Sequence, residues 1–539
     1  MTAPGIGSIS PRAGWLRRPS FIPVGVSTGM LWFIVGMNVI MITLFILSAN
    51  SFVAMLPLAL CFLFCLFLVT SLRTTMLVLL FLVALTDSQA ISMPDKSLWL
   101  PPFYSLQALL FFNLNKIVPI ASLRFALLEV ILVAMGLLAF ARALLRIRVD
   151  SRQRERGTNA LTLFLVLAFA AVVWLEAWGV GVRGGDFRQS LWQFRQLFWL
   201  PLLTGLCSLC LRDYRDFLTA VRVATIAASL KIAIVAWFYF TVARPIGFEP
   251  AYLSSHNDSI LFVIVLMVQV IRLTHQVSTR NIVSLLLVGS WLMFGIVINN
   301  RRLAFVNLLV CCALLFFVMR GPAKKFVMRA MLFSLPLLVA YVVVGAKRSS
   351  PVFKPAALIM SVVTQKDNSS ITRDIENFNL IVTLKQGKLL GSGWGHEYVE
   401  MVKADDISEG FAQYRFLAHN NVLWLLSIGG YLGFSMLFLP LAIGVFLARR
   451  AYFFARTPDE RTTAIVAICI YAVYLMQAWG DMGMQANVAS FSMALALAAS
   501  AKLAVATGAF PARPRLFGRK AAAPPVRVSI VSSHLPARV

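Results

Sequence analysis

Charged residues are scarce in this chain. They make up 13% of its 539 residues, whereas soluble domains usually contain about 25%. Hydrophobic residues reach 59%, and this balance excludes a soluble globular protein. Apolar runs of about 17–25 residues recur along the sequence, and each is long enough to cross roughly 30 Å of hydrocarbon as a helix. We therefore predict an all-α polytopic membrane protein.

The predicted architecture has about 12–14 transmembrane helices and one large polar loop. We place the apolar spans near residues 29–49, 52–71, 75–92, 123–145, 160–178, 188–211, 217–243, 254–273, 281–299, 302–319, 326–346, 419–447, 462–480 and 486–507. Residues 97–122 are a candidate for dipping into the membrane without crossing it. The resulting regions are a tail (1–28), helices 1–11 (29–346), the loop (347–418), helices 12–14 (419–507) and a second tail (508–539).

Sequence motifs for metal or nucleotide chemistry are also missing. The chain contains no Asp-x-Asp, no HExxH, no Walker sequence and no dinucleotide fingerprint. Its seven cysteines all fall inside apolar spans, so they predict neither a disulfide framework nor a cysteine-based metal site. We therefore expect no cofactor and no catalytic metal, and base catalysis by side chains is the chemistry that remains.

Acidic residues are few as well, 22 against 49 basic ones, which gives a formal net charge of +27. Such a charge can indicate nucleic acid, but here the basic clusters recur at alternate connections between spans, as the positive-inside rule describes. The clusters lie within 12–18, 142–156, 212–222, 272–280, 320–329 and 449–461 and beyond 513. We predict that this side and both termini are cytoplasmic, that the loop is periplasmic, and that the tail contacts membrane lipids and not nucleic acid.

Some cations break this pattern because they fall on the predicted periplasmic side. They include Arg195, Lys231, Arg301, Arg302, Arg373 and Arg415. A cation in or near hydrocarbon is costly unless it is paired or faces water, so each is a candidate site residue. For Lys231 the alternative is structural pairing with Glu129 or Glu176 in neighbouring spans. Because the planar fork of arginine suits bidentate phosphate binding, the arginines predict a site for a lipid-linked phosphate or pyrophosphate.

Three of the five histidines lie on the same predicted side. His256 stands at the mouth of a span, where a polar helix cap is the alternative role. His396 ends the run Gly391-Ser-Gly-Trp-Gly-His396, either as a plain loop residue or where glycines let the backbone approach a ligand. His419 stands where the polar loop enters an apolar helix, and a neutral imidazole there can take a proton from a hydroxyl. His419 is therefore the best placed of these histidines to act as a base.

Four segments resemble the bacterial O-antigen ligase and O-antigen polymerase superfamily, to which certain protein O-oligosaccharyltransferases are related. The first is His419-Asn-Asn-Val-Leu423 followed by Gly430 and Gly433. The second runs from Arg373 to the glycine-rich stretch 389–395, with Asn377 where a tryptophan is often found. Asn300-Arg-Arg-Leu-Ala304 and residues 247–257 are similar in a weaker way.

The resemblance implies a fold similar to that of the GT-C-type glycosyltransferases, in the bacterial inner membrane. It also implies a metal-independent, inverting transfer of glycan from undecaprenyl pyrophosphate at the periplasmic face. His419 would deprotonate the acceptor, while Arg373 and either Arg301 or Arg302 would hold the pyrophosphate. Arg195 joins them from its membrane position. Weaker supporting candidates are Lys231, His256, Asn257, His396, Arg415 and Asn420.

More than one function remains open from the sequence. A polymerase would extend one lipid-linked glycan with another, whereas a ligase would move glycan to a lipopolysaccharide core or to a protein. Because no distinct protein-acceptor domain is visible, polymerase or exopolysaccharide assembly is favoured slightly over a ligase. The other class is a transporter or flippase for lipid-linked oligosaccharide, of which mid-membrane charges and repeat symmetry are typical. Expected partners are the lipid-linked donor, a glycan or lipid-linked acceptor, membrane lipids and other polysaccharide-assembly proteins.

Overall fold

The computed structural model describes residues 71–87, 104–116, 125–144, 157–248, 253–346, 348, 353, 355–357, 359–360, 368–403, 406, 408 and 413–512. The predicted spans 29–49 and 52–71, the tail 1–28, the tail from 513 onward and most of 347–367 lie outside these residues. Within the described part every regular element is a helix, and β-pairing is limited to two isolated bridges. The predicted all-α class is confirmed.

The described residues contain the following fourteen α-helices, numbered in chain order. They are α1 Leu72–Thr86, α2 Tyr104–Phe111, α3 Leu127–Leu144, α4 Asn159–Glu176, α5 Phe187–Cys210, α6 Tyr214–Phe238, α7 His256–His275, α8 Thr279–Asn299, α9 Arg302–Val318, α10 Gly321–Gly345, α11 Asn368–Gln386, α12 Asn421–Phe454, α13 Pro458–Gly480 and α14 Asn487–Ala506. Wider π turns extend α4 to Val182 and α6 to Ala243, and another lies inside α8. Each predicted span from 75–92 onward coincides with one of these helices.

Eight of the helices in the described part of the chain are long and apolar enough to cross a membrane, and three shorter apolar helices accompany them. The protein is therefore a multi-pass membrane protein. Helix α2 has only eight residues, which span about 12 Å and cannot cross the bilayer. This length agrees with a segment near 97–122 that dips in without crossing.

Asp87 and Arg195, two of the charged residues inside predicted spans, have different effects on their helices. Asp87 ends α1 one residue after Thr86, and its carboxylate accepts hydrogen bonds from Val488 N at 3.0 Å and Asn487 Nδ2 at 3.3 Å. Arg195 leaves α5 continuous because Glu129 neutralises its charge. A charge inside an apolar helix is tolerated when its partner lies on the neighbouring helix.

Helices α7, α13 and α14 form the centre of the bundle, with 78%, 72% and 89% of their most apolar stretches buried, against 6% for α10. Helix α12 packs against α4, α13 and α14, and α11 lies against α12. Helices α5, α7, α9, α12 and α14 all begin at the end of the bundle where α11 lies. We call this the loop end.

A tight turn at residues 391–395, the glycine turn, fixes the polar loop onto the bundle. Gly393 N donates to Ile428 O at 2.9 Å, and Trp394 N donates to Leu175 O at 3.2 Å. Gly391 has φ +67°, and a Cβ there would lie 2.0 Å from Ile428 O, so no other residue fits. The glycines therefore serve close packing of backbone on helices, and the alternative of close approach to a ligand is not needed to explain them.

Candidate active site

The segment that carries His419 is held from two sides before α12 begins. Phe416 O accepts hydrogen bonds from Gln193 Nε2 at 2.7 Å and from Trp424 Nε1 at 2.8 Å. Asn420 caps α12, since its side chain accepts from Leu423 N at 3.1 Å. His419 is therefore placed at the loop end, at the point where the loop becomes helix.

Glu376 of α11 is the partner of His419. Its carboxylate accepts from His419 N at 2.9 Å and lies 3.2 Å from His419 Nδ1. The Glu376 side chain is only 8% exposed, whereas that of His419 is 25% exposed. The carboxylate thus holds both the backbone and the ring of a histidine that solvent or a substrate can still reach.

Helix α11 brings further polar groups to His419. Its docking depends on Asn379, whose side chain pairs with the backbone of Met401 and Val402 at 2.8–3.1 Å. Asn377 Oδ1 accepts from Asn420 Nδ2 at 3.0 Å. Arg373 lies one turn before Glu376, on the same face of the helix. The predicted pair His419 and Arg373 is thus brought to one place.

A second pair of histidine and carboxylate lies beside the first. His256, in the first turn of α7 and followed by Asn257, forms an ion pair with Asp481, which ends α13. Met482 N, next in the chain, donates to His419 O at 2.8 Å. We call His419, Glu376, His256, Asp481 and Arg373 the histidine cluster.

The pKa of the Asp481 carboxyl reflects the positive groups that surround it. Burial opposes the charged form of its carboxyl most strongly. The hydrogen bond from His256 and the charges of Arg373 and His419 nevertheless outweigh burial and hold the pKa of Asp481 below its ordinary value. The carboxylate is therefore ionised across the neutral range.

The arginine pair is positioned by the turn between α8 and α9. The Asn299 side chain is buried and bonds Ser254 N at 2.9 Å and Ser255 O at 3.2 Å, which ties this turn to the start of α7. Asn300 has a left-handed backbone with φ 57°. Arg301 is the N-cap residue of α9, and Arg302 is the first residue of that helix. Leu303 faces Gly480, the neighbour of Asp481. Arg301 and Arg302 thus lie at the edge of the histidine cluster.

Lys231 has a different partner from those considered in the sequence. It is 1% exposed, and its Nζ lies 2.5 Å from Asp258 Oδ1 and donates to Asp87 O at 2.6 Å. Pairing with Glu129 or Glu176 was wrong, because Glu129 binds Arg195 and Glu176 accepts from Ser190 Oγ at 2.8 Å. Asp258 also closes the capping box at the start of α7, so the Lys231 ion pair is connected to the helix turn that carries His256.

Arg195 lies in a separate place, a cavity of about 260 Å³ between α3, α5 and α14. Its Nη2 is 2.5 Å from Glu129 Oε2, and its Nε donates to Glu129 Oε1 at 2.6 Å. Trp192 and Trp199 line the same space, which we call the tryptophan cavity. The structure does not bring Arg195 to the histidine cluster.

Arg415 and His396 are held within the loop. Arg415 forms an ion pair with Glu397, and its backbone O accepts from Tyr398 N at 3.0 Å. His396 Nε2 lies 3.1 Å from Gly179 O, at the end of α4. Both residues fasten the loop, which matches the plain structural role considered for His396.

The sequence analysis did not identify the carboxylates of Glu376 and Asp481, and it gave Glu129 the wrong partner. Glu376 could have been found from its spacing, because it lies three residues after Arg373 in an amphipathic helix. Asp481 directly follows an apolar span, but acidic residues are common on that side, so the sequence does not single it out. Nothing in the sequence marks Glu129 as the partner of a residue 66 positions away.

Residues 282–438 match the family model of O-antigen ligase. The matched segment runs from α8 into α12 and includes Arg301, Arg302, Arg373, Glu376 and His419. Over this segment the predicted resemblance to the O-antigen ligase and polymerase superfamily is confirmed. No curated protein matches the chain.

Proposed function

Because the chain carries a domain of the O-antigen ligase family, we propose that it transfers or polymerises glycan from undecaprenyl pyrophosphate at the periplasmic face of the bacterial inner membrane. The reaction is inverting and independent of metal. The observation that carries the proposal is the contact between His419 and Glu376, with Arg373 on the same face of α11. Within the described residues, the histidine cluster included, no three His, Cys, Asp or Glu side chains converge closely enough to hold one metal ion.

His419 is the proposed general base. Its Nδ1 faces the Glu376 carboxylate, so Nδ1 carries the proton and donates it in that hydrogen bond. The lone pair is then on Nε2, where it can accept the proton of an acceptor hydroxyl. Glu376 also stabilises the imidazolium that forms, as the carboxylate does in a serine protease triad.

The arginines are the proposed ligands of the pyrophosphate. Arg301 and Arg302 stand at the N-terminus of α9, where backbone N–H groups and the helix dipole also favour an anion. Arg373 reaches the same region from α11. Bidentate contacts from guanidinium groups would offset the negative charge that develops on the leaving group.

The step is a single displacement. The acceptor oxygen forms a bond to the anomeric carbon of the donor sugar while the bond from that carbon to the pyrophosphate oxygen breaks. The electron pair of the broken bond leaves with the pyrophosphate, and the hydroxyl proton goes to His419 Nε2. Attack opposite the leaving group inverts the anomeric configuration, and no covalent glycosyl-enzyme is formed.

The orientation follows from charge. The basic clusters within the described residues, at 212–222, 272–280, 320–329 and 449–461, lie at the end of the bundle opposite His419. By the positive-inside rule that end is cytoplasmic, and we propose that both termini lie on the same side. A cysteine introduced at the exposed Lys403 is expected to react with a membrane-impermeant reagent added from the periplasm. Labelling of this cysteine only from the cytoplasm would contradict the orientation.

The test of function is reconstitution in vesicles with a polyprenyl-pyrophosphate glycan. We expect wild-type protein to release polyprenyl pyrophosphate, and His419→Ala or Arg302→Ala to lower the rate by about 100-fold or more. Matched controls are His534→Ala in the tail and Arg244→Ala, an exposed residue after α6. Transfer at the wild-type rate by both site variants, or transfer lost with a chelator, would overturn the mechanism.

Products of the same assay separate the candidate activities. Lengthening of lipid-linked glycan with no other acceptor present indicates a polymerase, which we propose as the activity. Transfer only after a lipopolysaccharide core or a protein is added indicates a ligase or an oligosaccharyltransferase. Movement of glycan across the vesicle without a new glycosidic bond would indicate a flippase.

A further inference from the structure

The tryptophan cavity lies at the loop end, beside the histidine cluster but distinct from it. It is bordered by the first turns of α3 and α14, by the first half of α5 and by residues 413–417 and 482–485. Met482 lines it, and the N–H of Met482 holds His419 O at 2.8 Å. A molecule in this cavity is therefore a neighbour of the proposed base.

The charged groups of the cavity neutralise each other. The Glu129 carboxylate accepts two hydrogen bonds from Arg195 and further bonds from Trp199 Nε1 at 2.8 Å and Ala126 N at 2.9 Å. Asn113 Oδ1 accepts from Arg195 at 3.3 Å. Arg195 and Glu129 are the only charged residues among those described that line the cavity. A guanidinium so fully committed to a carboxylate is a poor ligand for pyrophosphate, in contrast to our expectation from sequence.

The remaining wall is aromatic on one side and carries amides on the other. Trp192 is 38% exposed, and its ring lies 5.4 Å from Arg195 Cζ. Gln413, Gln196 and Asn487 contribute side-chain amides. Gln485 Nε2 is buried at this wall and has no hydrogen-bond partner among the described residues. The Gln196 amide already donates to Asn487 Oδ1 at 3.1 Å, so Gln485 Nε2 is the donor that remains for a ligand. An aromatic face next to this donor suits a ligand with an apolar ring face and hydroxyls at its edge.

We propose that the tryptophan cavity binds one sugar ring of the glycan, next to the bond that is formed. The inference rests on the proposed function and adds a subsite for it. A volume of about 260 Å³ lies just below that of pockets for small molecules, roughly 300–1,000 Å³. It accommodates a single ring and not an oligosaccharide. The charged and amide-bearing walls make it unsuited to the polyprenyl chain, which would leave these groups without water.

Two substitutions test the subsite without touching the histidine cluster. Trp192→Ala removes the aromatic face, and Gln485→Leu removes the free donor at nearly constant volume. Each is expected to raise KM by about 10-fold for the substrate whose ring occupies the cavity, which corresponds to about 1.4 kcal/mol, while kcat changes less than about 3-fold. A rise confined to the donor or to the acceptor identifies the source of the ring.

Matched controls are Trp237→Ala, an exposed tryptophan of α6, and Gln386→Leu, an exposed glutamine at the end of α11. Both are expected to keep the wild-type constants. If transfer depends on His419 but both cavity variants keep wild-type KM for donor and acceptor, the subsite is refuted and the transferase function stands. If wild-type protein makes no glycosidic bond, the proposed function itself fails. Retained KM with lowered kcat in both cavity variants would also refute a binding role.

Discussion

The histidine cluster and the tryptophan cavity are neighbours built in different ways. In the cluster, charged groups come from loop residues and helix ends, and His419 remains 25% exposed. In the cavity, Arg195 and Glu129 lie within helices and satisfy each other through two hydrogen bonds. In the proposed function, the groups that exchange protons or bind a charged leaving group stay available, whereas the groups that recognise a sugar ring are held in place. The histidine cluster would then serve the chemistry and the tryptophan cavity the recognition.

The largest effect is expected from a substitution that disrupts the histidine cluster and the tryptophan cavity together. Gly391→Val puts a Cβ 2.0 Å from Ile428 O in a left-handed backbone, so we expect at least about 3 kcal/mol of destabilisation. Gln193 bonds both Gly395 N and Phe416 O, so the glycine turn supports the segment shared by cluster and cavity. Thermal unfolding in detergent measures the loss.

The control for this substitution is Gly247→Val. Gly247 has φ +68°, but nothing lies within 4 Å of a Cβ there. It carries only the conformational cost of about 1–2 kcal/mol. Equal destabilisation by the two variants would mean that close packing of the glycine turn is unimportant.

One chemical change made in both places gives the next largest effect. Glu376→Gln should lower kcat by about 100-fold with little change in KM, because the imidazolium of His419 loses its carboxylate. Glu129→Gln should instead raise KM by about 10-fold, because Arg195 is left without its counter-charge and the cavity wall shifts. Steady-state kinetics on reconstituted protein distinguish the two signatures, and identical signatures would break the comparison.

The smallest expected effect concerns pH. The pKa of Asp481 is below its ordinary value in the fold, so the ionised form contributes stability above that ordinary value, and the contribution is lost as pH falls through the lowered pKa. The free energy of unfolding of the wild type should therefore exceed that of Asp481→Asn by about 1 kcal/mol at about pH 5, and by less near pH 3. A difference that grows on acidification would contradict this assignment.

The helices and the place of His419 could be predicted from the sequence because both depend on local patterns. Hydropathy locates every described span, and the change from polar loop to apolar helix marks His419. Glu376 could not be identified in the same way, since its role depends on how α11 docks through Asn379. This docking cannot be predicted from hydropathy, because the loop before α11 has no hydropathy pattern.

Long-range pairing explains the remaining differences. Lys231 was expected to find a carboxylate in Glu129 or Glu176, but the fold places it on Asp258, which lies at the start of α7. Arg195 then pairs with Glu129. Which acid meets which base depends on the order of helices in the bundle, and hydropathy carries no information about that order.

The position of Met482 bears on the regiochemistry of the proposed product. Its backbone, at φ 29°, holds the carbonyl of His419, and the same residue forms part of the cavity wall. In the proposed arrangement, Met482 alone separates the sugar ring in the cavity from the segment that carries the imidazole of His419. The hydroxyl that meets the base is then selected by its position around the sugar, so regiochemistry would be dictated by the main chain and not by a flexible side chain.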